Sequence, residues 1–474
     1  MKNRLTPIKR LPFDVLSLIP DSLAADEEDD IDEDLIALTH VCRAWREIFI
    51  SRSSLWAYFK CTNADKTRVY LERSKSSPIT VSLYRDTTLA IDDPLFQIIP
   101  YSVCRLETLS IEAGPEILHH IITHLPPHAP LLKRLHIYST FRSRRRQDFS
   151  FTATFFGGDL SSLRALHLEC IRTDLPWRNM VNLTSVVLRS TSPNGPSMTQ
   201  LLDFFESTPR LCNIELNSAT PVTDGQRGRL VPLAYLKRMT ILRGSPSSVL
   251  LDQLLIPIGA ELSLLAHSFH RVIEGHLPGS LNNLRNISNI AQIHFRVSDC
   301  ARIELSGPSG QLNMMAGDDI ADLGFESLAR LDTSKVERLE IDSSDHPFTR
   351  PSYQELRPLE NLRTLTLSRC ENPYTFMAAL GPDTVSSGAV PCPKLEEIIL
   401  IPYTGTEVDI KSVTEMAAAR VSGGAKLRTI RIGGKDKLNP GDALELKKHV
   451  LNVEYLPVVD EVNSDSDDSD EDFR

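Results

Sequence analysis

Leu362-Arg363-Thr364-Leu365-Thr366-Leu367 places apolar residues in the order Leu-x-x-Leu-x-Leu, and the stretch runs on through Ser368 and Arg369 to Cys370. Alternation at the end of the pattern is the period-two signature of a strand with one covered face. With Ile, Val, Met or Phe allowed, the same pattern begins at Leu106, Leu132, Leu163, Leu183, Leu211, Leu236, Ile290, Val336, Leu395 and Leu427. The starts are 20 to 33 residues apart except for two gaps of 54 and 46. If each wide gap hides one degenerate unit, the intervals average about 27 residues, a period that chance would not maintain.

A self-similar period of about 20 to 29 residues is that of the leucine-rich repeat. Segments between the strands read as the backs of such units. Met198, Leu201, Leu202 and Phe205 recur at helical spacing, Ser197 with Gln200 forms a capping box, and Pro209 ends the helix two residues before Leu211. The same Pro-x-Leu entry occurs at Pro130 and Pro393. Proline cannot continue a helix and biases its predecessor toward extended backbone, so the chain turns from helix to strand. One strand and one helix cannot enclose a core, so the units are expected to stack into a curved α/β solenoid over 78–456. The repeat is degenerate: its ninth position is Cys370 in the unit that starts at Leu362 but Thr191 or Ala219 in others, so no regular asparagine ladder is expected there. The stretch 243–329 is the least regular and reads as an insertion or a distorted coil.

Composition suits a folded chain, with 41% apolar and 24% charged residues. The net charge of −10 is not spread evenly: Asp26 to Asp34 carries −8 and Asp460 to Arg474 carries −7, which leaves about +5 for the remainder. The body is nearly neutral and shows no basic face of the kind phosphate contacts need, so nucleic acid is not an expected partner. Eight cysteines lie at least 19 residues apart without a CxxC pair and read as reduced, buried thiols. The basic segment 1–10 precedes apolar residues that Pro12, Asp14, Pro20 and Asp21 interrupt too often for a secretory signal. Val249 to Ala266 contains Asp252, Gln253, Pro257 and Glu261, so no membrane span is expected. A cytoplasmic or nuclear location follows.

The first sixty residues follow another pattern. Val15, Leu16, Ile19 and Leu23 mark one face of a short helix, and the acidic run then reads as a solvated loop, because eight like charges do not pack together. Leu35, Leu38, Val41, Cys42, Trp45, Ile48 and Phe49 form one continuous stripe of a second helix. Trp45, Ile48 and Phe49 are expected as core. Leu55-Trp56-Ala57-Tyr58-Phe59 is an aromatic cluster that about 50 residues cannot bury unaided.

These residues resemble the F-box proteins, in particular the fungal type in which leucine-rich repeats follow the box. Leu11-Pro12 matches the opening of the box, Val41-Cys42-Arg43-Ala44-Trp45-Arg46 its central Val-Cys-(Lys/Arg)-x-Trp motif, and Ser54-Leu55-Trp56 its closing Leu-Trp. Tyr70 to Ser74 and Pro78 to Leu83 look like the family's junction into the first repeat strand. One departure is the acidic run between the first two box helices, which lengthens that connection. The resemblance implies a three-helix F-box over 11–60 with an acidic loop at 26–34, a connector at 61–77, the solenoid over 78–456 and a disordered acidic tail at 457–474. It further implies docking on a Skp-type adaptor, and through it on cullin and RING subunits, with this chain as the non-catalytic substrate-recognition subunit of a ubiquitin ligase. The rival reading is a leucine-rich-repeat scaffold or regulator with no ubiquitin role.

Docking needs an exposed apolar patch with aliphatic anchors. Leu11, Pro12, Val15, Leu16, Ile19, Val41 and Cys42 are the candidates for adaptor binding. In the repeat strands the residues between the apolar ones line the opposite face. Arg134, His136, His167, Arg189, Asn213, Glu215, Arg338, Glu340, Thr364 and Thr366 are therefore the candidates for substrate binding, with Asn217, Asp342, Glu397 and Arg431 on the same row. Such a polar row of changing sign suits a protein partner better than an apolar small molecule.

Other clusters carry less. Arg142, Arg144, Arg145 and Arg146 could grip an acidic group, act as a nuclear-import signal, or form a solvated loop. His120, His124 and His128 are four apart, but Pro126 and Pro127 break the helix before the third and no HExxH accompanies them, so no metal site is expected. Ser464, Ser466 and Ser469 in the acidic tail resemble acidophilic-kinase targets. No GxxxxGK, GxSxG or strand-GxGxxG-helix pattern is present, and no catalytic residues or cofactor are expected.

Overall fold

The computed structural model describes residues 31–61, 63–84, 99–140, 150–151, 155–173, 179–189, 196–218, 228–242, 247–266, 276–298, 301–316, 328, 330–343, 356–370, 373–381, 390–402, 408–434 and 439–457. The chain divides into two compact units, Met1–Leu236 and Lys237–Arg474. Both are mixed α/β, and neither closes a barrel among the described residues.

The first unit opens with α1 (Ile31–Val41) and α2 (Arg43–Ser51), followed by a turn of 3-10 helix at Ser53–Trp56. The single helix expected through Val41 and Cys42 is thus two. Cys42 has extended backbone, φ −163° and ψ 173°, and its carbonyl accepts from the Arg46 N–H at 3.0 Å, so a new helix starts where the first stops. Of the acidic run expected as a loop at 26–34, residues 26–30 lie outside the described residues, while Asp32, Glu33 and Asp34 lie within the span of α1.

Trp45, Ile48 and Phe49 are buried, as their spacing indicates. So are Leu55, Trp56 and Phe59, and the cover comes from the segment expected to be a connector. There α3 (Ala64–Arg73) is capped by the Asn63 side chain, which accepts from the Asp65 and Lys66 amides. Its Tyr70 meets Trp56 edge-on at 5.0 Å between ring centroids and Phe59 at 5.6 Å. The Trp56 Nε1–H donates to the Phe49 carbonyl at 2.9 Å, tying α2 to this cluster.

Seven strands of the first unit then pair in chain order, all parallel. They are β1 (Tyr58–Lys60), β2 (Ile79–Tyr84), β3 (Leu106–Ala113), β4 (Arg134–Ser139), β5 (Ala165–Glu169), β6 (Ser185–Arg189) and β7 (Asn213–Asn217). Between them lie α4 (Pro115–His124) and α5 (Met198–Ser207). The capping box of α5 is formed on both sides, Ser197 Oγ accepting from the Gln200 amide and Gln200 Oε1 from the Ser197 amide. A helix behind every strand is not found: the described residues between β5 and β6 hold none.

In the second unit β8 (Arg238–Leu242) and β9 (Glu261–Ala266) are followed by β10 (Gln292–Val297), β11 (Ala301–Gly307) and β12 (Gly310–Ala316). Then come β13 (Arg338–Ser343), β14 (Thr364–Cys370), α6 (Tyr374–Leu380), β15 (Glu397–Pro402), α7 (Ile410–Ser422), β16 (Thr429–Gly434), α8 (Pro440–Lys447) and β17 (Asn452–Pro457). The 54-residue gap does hide a strand, β9. It escapes the pattern because Gly259, at φ +86°, occupies the place of the first leucine. Among its described residues the 46-residue gap holds an inserted hairpin. β11 runs antiparallel to both β10 and β12, while β12 pairs parallel with β9 and β10 parallel with β13. From β13 to β17 the strands are again parallel and in chain order.

All three apolar positions of all eleven pattern occurrences are buried. The polar backbone at each strand entry is satisfied by a recurring device. The first apolar residue donates its N–H three residues back, as Leu132 to Ala129, Leu183 to Met180 and Leu362 to Leu359, at 3.0 to 3.2 Å. The next residue donates to its counterpart one strand earlier: Arg164 to Lys133, Thr184 to Arg164, Cys212 to Thr184, and likewise Arg363 to Glu337, Glu396 to Arg363 and Arg428 to Glu396, at 2.7 to 2.9 Å. Each strand is thereby held in register with its predecessor, and register is what brings polar residues together on the opposite face.

Cysteine burial is less uniform than the spacing implies. Cys61, Cys370 and Cys392 are buried and Cys42, Cys170 and Cys212 half-buried, whereas Cys104 is exposed; Cys300 lies outside the described residues.

Candidate functional site

Of the adaptor-binding candidates, Leu11, Pro12, Val15, Leu16 and Ile19 lie outside the described residues, as do the basic cluster 142–146 and the acidic tail beyond Pro457. Val41 and Cys42 are described. Val41 ends α1 with 49% of its surface exposed, while Trp45, four residues on, is buried and stacks on Phe49 at 5.7 Å. Cys42 is half-buried between them. The break at Cys42 turns Val41 outward, so the apolar stripe expected to be continuous is split into a covered part and an uncovered one.

In the first unit, parallel register aligns the candidate substrate residues. Arg134 lies level with Ala165, Ser185 and Asn213; His136 with His167, Val187 and Glu215; Tyr138 with Glu169, Arg189 and Asn217. Because alternate residues face the core, the first two rows and the third share the polar side. His136 and His167 stack ring on ring, with centroids 3.9 Å apart and planes inclined by 6°. The Nε2 atom of each is buried without a hydrogen-bond partner. Burial pushes His136 below its ordinary range, with the Arg189 cation adding to the effect. Burial, helped by His136 and Arg189, takes His167 down to about 3. Both imidazoles are therefore neutral at pH 7, and the approach of Glu169 Oε2 to His167 Nε2 at 3.4 Å is a dipolar contact rather than an ion pair. Glu169 is itself raised by burial. Arg189 is held by Glu215, with Nε 2.7 Å from Oε1.

In the second unit Arg338, Glu340, Thr364 and Thr366 come together. With Gln292, His294, Glu304, Ser306, Gln311 and Glu397 they line a cavity of about 410 Å³ on the polar side of β10 to β15. The inserted hairpin supplies Glu304, Ser306 and Gln311, which spacing alone did not place there. His294 stands between two carboxylates, with Nδ1 3.9 Å from Glu304 and Nε2 3.9 Å from Glu340. Arg431 bridges Glu397 at 3.2 Å and Glu454 at 2.8 Å. Asp342 departs from the expected row: it is buried and paired with Arg369, whose Nε lies 2.9 Å from Oδ1. A carboxylate covered in this way serves the fold and is closed to a ligand.

The histidine series on α4 is interrupted as expected. The helix ends at His124, with His120 and His124 rings 4.1 Å apart and His128 beyond it. No family model matches this chain, and no curated protein matches it. No helix among the described residues is long and apolar enough to cross a membrane.

Proposed function

We propose that this chain is the substrate-recognition adaptor of a Skp-cullin-F-box ubiquitin ligase, an F-box joined to a leucine-rich-repeat solenoid, acting in the cytoplasm or nucleus. The observation that carries the reading is the Val41-Cys42-Arg43-Ala44-Trp45 segment. It presents Val41 to solvent while Trp45 anchors the helix beneath it, and an exposed aliphatic on a rigid base is what an apolar docking patch requires. The polar side of either unit would hold a protein substrate, and in the second unit the β10 to β15 cavity offers acceptors and donors of both signs. The chain performs no chemistry. It raises the effective concentration of a substrate lysine near the charged conjugating enzyme.

Full-length protein mixed with a purified Skp-type subunit should co-elute on size-exclusion chromatography. Val41→Asp, and separately Pro12→Ser with Leu16→Ala, should abolish co-elution with an unchanged circular dichroism spectrum. Wild-type protein that elutes alone would favour the scaffold reading, in which the repeats bind a partner without ubiquitin transfer.

A further inference from the structure

We propose that His136, His167 and Glu169 form a site for a divalent transition-metal ion, zinc above all, on the polar side of the first unit. The donors come from adjacent parallel strands in register: His136 on β4 faces His167 on β5, and Glu169 follows two residues later on the same side. One ligand atom from each lies within 4.8 Å of the other two. Tetrahedral zinc, with bonds of about 2.0 to 2.1 Å, needs donors about 3.4 Å apart. The Glu169 to His167 pair already meets that separation, at 3.4 Å. His136 and His167 stack in nearly parallel planes with centroids 3.9 Å apart, so the rings must turn out of the stack for both in-plane lone pairs to converge on one ion.

Two further observations favour a ligand. Both Nε2 atoms are buried and lack a hydrogen-bond partner, an arrangement that is unfavourable when nothing fills it. The neighbouring cation, Arg189, is engaged by Glu215 at 2.7 Å, which lowers the field that would repel a metal ion. Two imidazoles and one carboxylate are a donor set that suits zinc among the borderline ions, rather than calcium or magnesium with their oxygen shells. Three protein ligands leave one position open for water or for a carboxylate or imidazole of a bound protein. The helical pair His120 and His124 could also chelate, and serves as the control.

Zinc would be titrated into full-length protein against a chromophoric chelator, and cobalt(II) followed by its ligand-field absorption. One equivalent should bind, and His167→Gln should weaken it by about 100-fold or more, beyond what loss of a mere supporting partner costs. Glu169→Gln should weaken it by at least about 10-fold and alter the cobalt spectrum. Glu169 is partly exposed, so this variant tests the site even if His167→Gln fails to fold. The double variant His120→Gln with His124→Gln should bind as wild type. Absence of stoichiometric binding, equal affinity in Glu169→Gln, or loss of binding in the helical double variant would each overturn the proposal.

Discussion

Trp56→Ala should loosen the amino-terminal helices and strand β2 together. The side chain is fully buried, and truncating a large buried aromatic to alanine costs about 3 to 5 kcal/mol through lost burial and the cavity left behind. The Phe49 carbonyl also loses the Nε1–H donor at 2.9 Å, which adds about 1 kcal/mol or more if water does not replace it. Contact is lost with Tyr70, and with the Arg73 guanidinium 4.2 Å above the indole. The sum, about 4 to 6 kcal/mol, approaches the whole stability of an ordinary domain. Trp56→Phe separates the parts: it keeps an aromatic ring beside Tyr70 and deletes the donor, so it should cost about 1 to 3 kcal/mol. Native-state hydrogen exchange of the full chain, followed by mass spectrometry over 43–84, reads these changes segment by segment. If Trp56→Ala accelerates exchange in both α2 and β2 by less than about fivefold, roughly 1 kcal/mol, the indole does not join them and the reasoning fails.

Trp45→Ala should cost about 3 to 5 kcal/mol in the same experiment but confine its effect to α1 and α2, since its stacking partner Phe49 is on α2. Acid should destabilise the first unit through His167. Its folded value of about 3 lies below the ordinary 6.5, so the unfolded chain takes up the proton first. The stabilisation is full above about pH 6.5 and is lost as pH falls toward 3, about 2 kcal/mol between pH 7 and pH 5. Urea midpoints measured with a metal chelator should show that loss in wild type and a flatter profile in His167→Gln; parallel profiles would refute it. Gly310→Ala should be severely destabilising, because a Cβ there would sit 2.5 Å from the Ala260 carbonyl oxygen at a φ of +134°, and thermal denaturation should show the drop. In thiol labelling of folded protein Cys104 should react first. Cys370 and Cys392, whose thiols burial pushes up to about 12, should react only on unfolding, as peptide mapping would show.

What the sequence made legible follows from periodicity. A strand that must bury every second residue writes Leu-x-x-Leu-x-Leu, and no occurrence of that pattern failed to bury its three apolar positions. The pattern broke where glycine replaced leucine for a local backbone reason, at Gly259, and ended where Tyr455 stands in for an aliphatic in β17. The hairpin of β11 and β12 had its own signal: Ile303 and Leu305, then Ser306-Gly307-Pro308-Ser309-Gly310, then Leu312 and Met314, two alternating runs about a glycine turn. A search tuned to one period passes over another. The split of α1 from α2 left no mark in hydrophobicity, since Val41 and Cys42 continue the stripe; the backbone at Cys42 alone reveals it.

The candidate sites were legible residue by residue but not as constellations, and the reason is register. His136 and His167 stand 31 residues apart in sequence, a distance at which chemistry-bearing pairs ordinarily mean nothing. They meet because each follows the first leucine of its unit by the same count of four, and the ladder of strand-entry hydrogen bonds locks equal counts side by side. The same counting sets Glu340 level with Thr366, and His294 level with Glu340. Polar residues at equal offsets from a repeating leucine can thus be treated as neighbours before any coordinates exist, and the pair His294 and Glu340 stays level even across the inserted β11 and β12. The insertion adds what the count omits: Glu304 enters the cavity beside His294 from β11. In such an array a ligand site is specified by residues that share an offset plus residues that an insertion carries to the same face, and only the first kind is countable.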